Sequence, residues 1–250
     1  MKKAASFALG CKVNQYESEA IAELFAEKGY EIVGIDEKAD VYVINTCTVT
    51  NFGDKKSRQL IRKVKRQNEN AIVAVVGCYA QTAPKELMEV AGVNLVIGTK
   101  DRAQIVEMVE QYDRANGVEN HVSDIMKERV FEPLSIQKLA NRTRAYLKIQ
   151  DGCSQYCSYC IIPYARGPIR SREPQEVVAE VKRLAENGFK EVVLTGIHVA
   201  SYGKDRRDTS LPDILKQVHE VEGIERIRFS SIEPNVVTEE FAQTMAALPK

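Results

Sequence analysis

Three cysteines fall within eight residues, at Cys153, Cys157 and Cys160, in the spacing C-x3-C-x2-C. A loop this short can wrap three thiolates around one cubane iron–sulfur cluster. Three protein ligands for four irons leave one iron open, and an open position on a metal is where a substrate or cofactor binds. The plainer reading of grouped cysteines is a structural zinc site. Zinc sites usually pair a C-x2-C knuckle with a second pair or a histidine downstream. No second pair exists in this chain, so the spacing points to a cluster.

The other three cysteines are scattered. Cys11 lies in Leu9-Gly10-Cys11-Lys12-Val13-Asn14-Gln15, Cys47 in Ile44-Asn45-Thr46-Cys47-Thr48, and Cys78 in Val76-Gly77-Cys78-Tyr79. Each follows a short apolar run that reads as a strand. In a parallel sheet the strand-to-helix turns share one edge, so thiols roughly 30 residues apart can converge there. A buried cysteine acting as a small hydrophobe would instead sit inside a strand or on a helix face. Three of three beyond strand ends favours a site.

A one-signed helix stands between these cysteines. Lys55, Lys56, Arg58, Arg62, Lys63, Lys65 and Arg66 share it, and Asp54 is the only acid between Asn51 and Asn68. A solvated helix mixes both signs, so this face is read as a phosphate-binding surface. Arg142, Arg144, Arg166, Arg170 and Arg172 flank the second cysteine loop. Lys55, Arg58, Arg62, Lys65, Arg66, Arg166 and Arg170 are the candidate RNA contacts.

The elements that must position these groups alternate between strand and helix. The first part offers strands at 4–9, 41–44, 72–76 and 95–97, with helices at 17–28, 55–67, 84–90 and 104–112. Residues 113–142 are polar and without a period, and are read as a linker. The second part repeats strand–helix units three times: 145–150 with 174–187, 191–194 with 212–221, and 226–229 with 238–247. The expected fold class is α/β: an open doubly wound parallel sheet domain at 1–115, a linker at 116–142, and a partial (βα) barrel from 143 to 250. Three units do not close a barrel.

Composition sets the outer bounds. The 250 residues are 44% hydrophobic and 28% charged, an ordinary globular balance, and the formal net charge is zero. Total charge therefore says nothing for or against nucleic acid. No apolar run approaches the roughly 20 residues of a membrane span. The start at Met1-Lys2-Lys3 is read as leading into a first strand rather than an export signal, so a cytoplasmic protein with no membrane partner is expected. In a reducing compartment, grouped cysteines point to metal or catalysis rather than disulfides.

The loop at 153–160 resembles that of the radical S-adenosylmethionine (SAM) superfamily. The resemblance implies an open iron that chelates the amino and carboxylate groups of SAM, and one-electron cleavage to methionine and a 5′-deoxyadenosyl radical. It places the backbone of Tyr159 against SAM, Gly196 in a turn near the methionyl end, and Glu233 near the ribose. His198 has the address of the same site. Alongside these stand the plainer readings: a turn glycine, a structural histidine and an exposed turn glutamate.

The segments Leu9–Glu17, Asn45–Val49 and Gly77-Cys78, together with Ile161-Ile162-Pro163-Tyr164-Ala165-Arg166-Gly167, resemble the methylthiotransferases over nearly the whole chain. That resemblance implies two 4Fe-4S clusters, the second on Cys11, Cys47 and Cys78, with an open iron holding the sulfur to be inserted. Cys11-Lys12-Val13-Asn14-Gln15 resembles the branch acting on N6-threonylcarbamoyladenosine beside the tRNA anticodon. Other branches act on isopentenyladenosine in tRNA or on an aspartate of a ribosomal protein. The implied partners are tRNA and an electron donor. The rival from another class is a noncatalytic iron–sulfur or zinc RNA-binding module. Family members carry about six βα units and a C-terminal RNA-binding domain. The chain is accordingly expected to be an N-terminal part, with an exposed edge at 226–229 and poor activity alone.

Overall fold

The computed structural model describes residues 1–48, 51–136, 144–230 and 232–250. Val49, Arg142, Ser231 and the end of the expected linker lie outside the described residues. The chain divides into two compact units. One comprises Met1–Glu128 with Cys157–Gly167, the other Arg129–Tyr156 with Pro168–Lys250.

In the first unit, six strands form one sheet: β1 (Lys3–Ala8), β2 (Glu31–Ile32), β3 (Val41–Thr46), β4 (Ile72–Gly77), β5 (Leu95–Val96) and β6 (Glu119–Asn120). Their order is β2-β1-β3-β4-β5-β6, and every pairing is parallel. The chain winds away from β1 in both directions, so the strand order reverses between β1 and β3. In open α/β sheets, ligands bind outside the carboxyl ends of strands at such a reversal.

Five helices belong to this sheet: α1 (Lys12–Glu27), α2 (Asn51–Gln67), α3 (Cys78–Thr82), α4 (Pro84–Met88) and α5 (Ile105–Gln111). They cover both faces. Ile21 and Phe25 of α1, with Ile105, Val106 and Val109 of α5, pack on Val41, Val43, Ala74 and Val76. Ile61 and Val64 of α2, with Leu87 of α4, pack on Tyr42, Ile44, Val73 and Val75. Successive strand residues thus face opposite cores, which is why β3 and β4 are continuous apolar runs rather than alternating ones. Each fully buried Val or Ile contributes roughly 1.5–3 kcal/mol.

The helix expected at 17–28 starts five residues earlier, directly after Cys11. Its first turns carry Asn14, Glu17 and Ser18, all buried, so polar residues occupy its inward face and break the apolar period. A sixth helix, α6 (Ile162–Arg166), belongs to this unit by its packing against α3.

The second unit holds β7 (Arg144–Asp151), β8 (Arg170–Ser171), β9 (Glu191–Gly196) and β10 (Arg226–Phe229), in the order β10-β9-β7-β8. β7, β9 and β10 run parallel, and the two-residue β8 pairs antiparallel with β7. The strands are followed by α7 (Pro174–Glu186), α8 (Leu211–His219) and α9 (Glu239–Ala246). These are the three βα units of a partial barrel. Ser210 and Thr238 cap α8 and α9 by accepting from the backbone N–H three residues on.

Candidate functional site

β1, β3 and β4 are neighbours in the sheet, and each delivers one cysteine just past its carboxyl end. Cys11 is the N-cap of α1, Cys47 follows Thr46, and Cys78 opens α3. The approach is close: a Cβ on Gly10 would lie 2.9 Å from the Cys47 Sγ, and Gly10 has φ +118°. Cys78 is buried, Cys47 half-buried and Cys11 exposed, so the three thiols run from core to surface. Burial pushes the Cys78 thiol up to about 11, against the pull of the Arg166 guanidinium.

The side chains behind these thiols form one buried polar network within the first unit. Arg166 Nε donates to Cys78 Sγ at 3.1 Å, Nη1 to Glu17 Oε1 at 2.6 Å, and Nη2 to Asn14 Oδ1 at 2.7 Å. Asn14 Oδ1 also accepts from Cys11 Sγ at 3.3 Å, and Asn14 Nδ2 donates to the Leu9 and Thr46 carbonyls. Arg102 Nη1 reaches the same Glu17 Oε1 at 2.6 Å. Glu17, Arg102 and Arg166 are all fully buried. Removing one partner from such a group typically costs 3–5 kcal/mol, because it strands a buried charge.

Asn14, Glu17 and Arg102 were not among the residues expected at the site. The signal available for the first two was spacing. Cys11, Asn14, Glu17 and Ser18 fall at i, i+3, i+6 and i+7, which is one face of a helix. Arg102, from a separate turn, had no such signal.

In the second unit, Cys153 is buried two residues beyond β7. The backbone leading into it is tightly held. Gln150 Nε2 donates to the Asp151 and Gly152 carbonyls, each at 2.7 Å, and Asp151 Oδ1 accepts from the Gly152 N–H at 2.8 Å. Beneath, the buried Lys148 ammonium lies 3.0 Å from Asp151 Oδ2, and Arg170 stands 3.8 Å from the same oxygen. Tyr156 has φ +49°, a left-handed conformation costing a non-glycine residue roughly 1–2 kcal/mol. Cys157 and Cys160, both half-buried, belong to the first unit, where the Cys160 N–H donates to the Cys157 carbonyl.

Gly196 ends β9 in register with Gln150. His198 follows it. Its backbone N–H donates to Gln150 Oε1 at 2.8 Å, its Nδ1 shares a hydrogen bond with Ser201 Oγ at 2.6 Å, and its Nε2 lies 3.6 Å from Glu233. Tyr159 is 89% exposed. Among the described residues, no three Cys, His, Asp or Glu side chains are gathered at the separations of a single bound metal ion. None of the six cysteines is in a disulfide. The donor sets fit iron–sulfur clusters by their chemistry. Each is three cysteine thiols outside any disulfide, and the set at Cys11, Cys47 and Cys78 lies beside a buried guanidinium suited to an anionic group.

The expected RNA contacts separate into two groups. Lys55, Arg62 and Arg66 are exposed on α2. Lys56, Arg62, Lys63 and Arg66 line a groove of about 600 Å³, together with Leu60 of the same helix and Phe7 and Leu9 from β1 and its end. Arg58 bonds the Tyr79 hydroxyl, and Lys65 bonds the Glu69 and Ala71 carbonyls, so both serve the fold. Arg166 and Arg170 are buried, and the structure gives them to Cys78 and Asp151 rather than to a surface. Among the described residues, no helix is long and apolar enough to cross a membrane.

Residues 3–98 match the family model described as uncharacterized protein family UPF0004, and residues 147–249 match that of the radical SAM superfamily. The chain is 50% identical to the threonylcarbamoyladenosine tRNA methylthiotransferase MtaB of Bacillus subtilis, over 98% of this chain and 54% of that protein. It is 42% identical to the protein of the same name from Aquifex aeolicus, over 92% of this chain and 56% of that one. The chain thus spans about half the length of the curated relatives it matches. Among solved structures, the radical SAM methyltransferase TsrM of Kitasatospora setae is similar in fold, with a TM-score of 0.66 and 17% identity, over 99% of this chain and 58% of that one. Both models are matched in order along the sequence, and over nearly its whole length the chain is similar to radical SAM methylthiotransferases.

Proposed function

We propose that this chain carries the catalytic core of a tRNA methylthiotransferase. The reaction replaces the hydrogen at C2 of N6-threonylcarbamoyladenosine, next to the anticodon, with a methylthio group. The observation that carries this reading is the convergence of Cys11, Cys47 and Cys78 at the strand-order reversal of a parallel sheet. A SAM enzyme needing only one cluster has no use for a second trio of thiols there. The names of the relatives support the substrate, and the α2 groove supports an RNA partner.

On this reading residues 1–115 form the sulfur-donating domain and 143–250 the radical SAM core, joined by 116–142. Cys153, Cys157 and Cys160 would hold one 4Fe-4S cluster, and Cys11, Cys47 and Cys78 a second. When bound, the clusters and two SAM molecules supply the methyl group, the sulfur and the radical needed at an unactivated aromatic C–H, with an external electron donor. The protein supplies placement. The Gln150 amide fixes the turn before Cys153 and the start of the His198 segment. His198, Gly196, Glu233 and Tyr159 are the candidates for orienting SAM. Lys55, Lys56, Arg62 and Arg66 offer charge to RNA phosphates. Such a protein works in the cytoplasm, where its tRNA is.

The test is mass spectrometry of tRNA nucleosides from a strain lacking the gene. Loss of the 2-methylthio form of N6-threonylcarbamoyladenosine is expected. Loss of methylthiolated isopentenyladenosine instead, or of a modified ribosomal-protein aspartate, would move the chain to another branch. Metal analysis decides the class: about seven to eight irons and 5′-deoxyadenosine under dithionite fit the enzyme. Zinc without SAM cleavage would make it a binding module.

A further inference from the structure

Three thiols are enough to hold a cluster with one open iron, yet the first unit places a buried cation against one of them. Arg166 is fully buried, and its donors are fixed on three sides, by Glu17, Asn14 and Cys78. Glu17 is shared with the equally buried Arg102. One of the groups Arg166 faces is the Cys78 sulfur, with Cys11 joined to the same network through Asn14. A buried guanidinium is best satisfied by a partner of opposite charge. A thiolate-bound iron–sulfur cluster would put negative charge at that sulfur. Hydrogen bonds to cluster sulfurs and nearby charge are the levers by which a protein sets cluster potential.

We propose that Arg166 is a positioning residue for the second cluster: its Nε–H holds the Cys78 thiolate and raises the cluster's reduction potential, with Glu17 and Asn14 aiming the guanidinium. The inference rests on the reading that Cys11, Cys47 and Cys78 hold a cluster. It gives Arg166 a role at the sulfur-carrying site in place of the RNA contact expected from its charge. It also ties the two cysteine sites together through covalent chain. Arg166 ends α6, six residues after Cys160, and α6 packs on α3, which begins with Cys78. The Thr99 hydroxyl, donating to the Ala165 carbonyl at 2.8 Å, pins the last turn of α6.

The experiment uses the full chain with Cys153, Cys157 and Cys160 changed to Ala, reconstituted with iron and sulfide, so that any cluster signal belongs to the other three cysteines. Its midpoint potential is read by electron paramagnetic resonance during a redox titration. Arg166→Lys keeps the charge but cannot span Glu17 and Cys78, and should lower the potential. Arg166→Gln should lower it further. Glu17→Gln removes negative charge and should move the potential the opposite way. A residue that merely fills the core would lower iron content or stability without opposite shifts. Should Arg166→Gln fail to fold, the Lys and Glu17→Gln variants still decide by sign. Iron retained with unmoved potentials would overturn this inference alone. A parent protein that binds no iron would overturn the second cluster and this inference with it.

Discussion

Cys153, Cys157 and Cys160 are carried by one loop, whereas Cys11, Cys47 and Cys78 come from three strand ends that meet only once a sheet has formed. The loop trio is held from behind by local bonds, such as those of the Gln150 amide to the next two carbonyls. The scattered trio is held by partners up to 152 residues apart, as in the Arg166–Asn14 bond. The loop trio can therefore fail by losing one ligand. The scattered trio can also fail by any change that shifts one strand against another, or that unseats the charge network behind it. A site made of sequence-distant residues inherits the stability of the whole unit.

The largest effect that separates the two is ligand loss. Cys157→Ala should abolish SAM cleavage, measured as 5′-deoxyadenosine under dithionite, because two thiolates hold a cubane poorly. Cys47→Ala should keep that cleavage and lose sulfur insertion into tRNA. The division of labour breaks if Cys47→Ala also strips iron from the loop trio, or leaves methylthiolation intact.

Next comes a change that leaves all six thiols in place. Gly10→Ala puts a methyl 2.7 Å from the Cys47 Cβ at a φ of +118°. The left-handed strain and the overlap together should cost about 2–6 kcal/mol. Thermal melting should fall, and iron should be lost from the scattered trio alone. A variant melting like the parent with full iron would show that this strand end is looser than its packing implies.

The smallest effect concerns the surface beside the scattered trio. Changing Lys56, Arg62 and Arg66 to Gln should weaken tRNA binding and flatten its salt dependence by about one unit of log–log slope per lost phosphate contact. SAM cleavage without tRNA should not change. An unaltered slope would make the α2 groove an ordinary solvated face.

Much of this architecture is written in local pattern. The continuous apolar runs at 41–44 and 72–76 mark strands covered on both faces, and the cysteines just beyond them mark a common edge. The three βα units of the second part follow from period and from glycine stops. Other features are hidden for physical reasons. The first turn of α1 lacks an apolar face because Asn14 and Glu17 are buried against charge rather than hydrocarbon. β6 and β8, at two residues each, are too short to carry a period. Arg166 and Arg170 look like surface cations in a basic segment. Only the fold reveals the carboxylates of Glu17 and Asp151 waiting for them. The groove beside α2 depends on Phe7 and Leu9, which sequence pattern assigns simply to a strand.

The Glu17–Arg166 pair also orders events during synthesis. Glu17 and Arg102 can meet as soon as β1 to β5 and the turn after them have emerged. Arg166 lies 64 residues later (166 minus 102). At ribosomal speeds of 5–20 residues per second, that interval is about 3–13 s. At the start of that interval the nascent first unit has β1 to β5, and throughout it lacks the guanidinium that bonds Cys78. The last piece of the N-terminal unit is thus translated only after the 153–160 loop. On the ribosome, the polar network behind the scattered thiols can therefore be completed only after the 153–160 segment has been made.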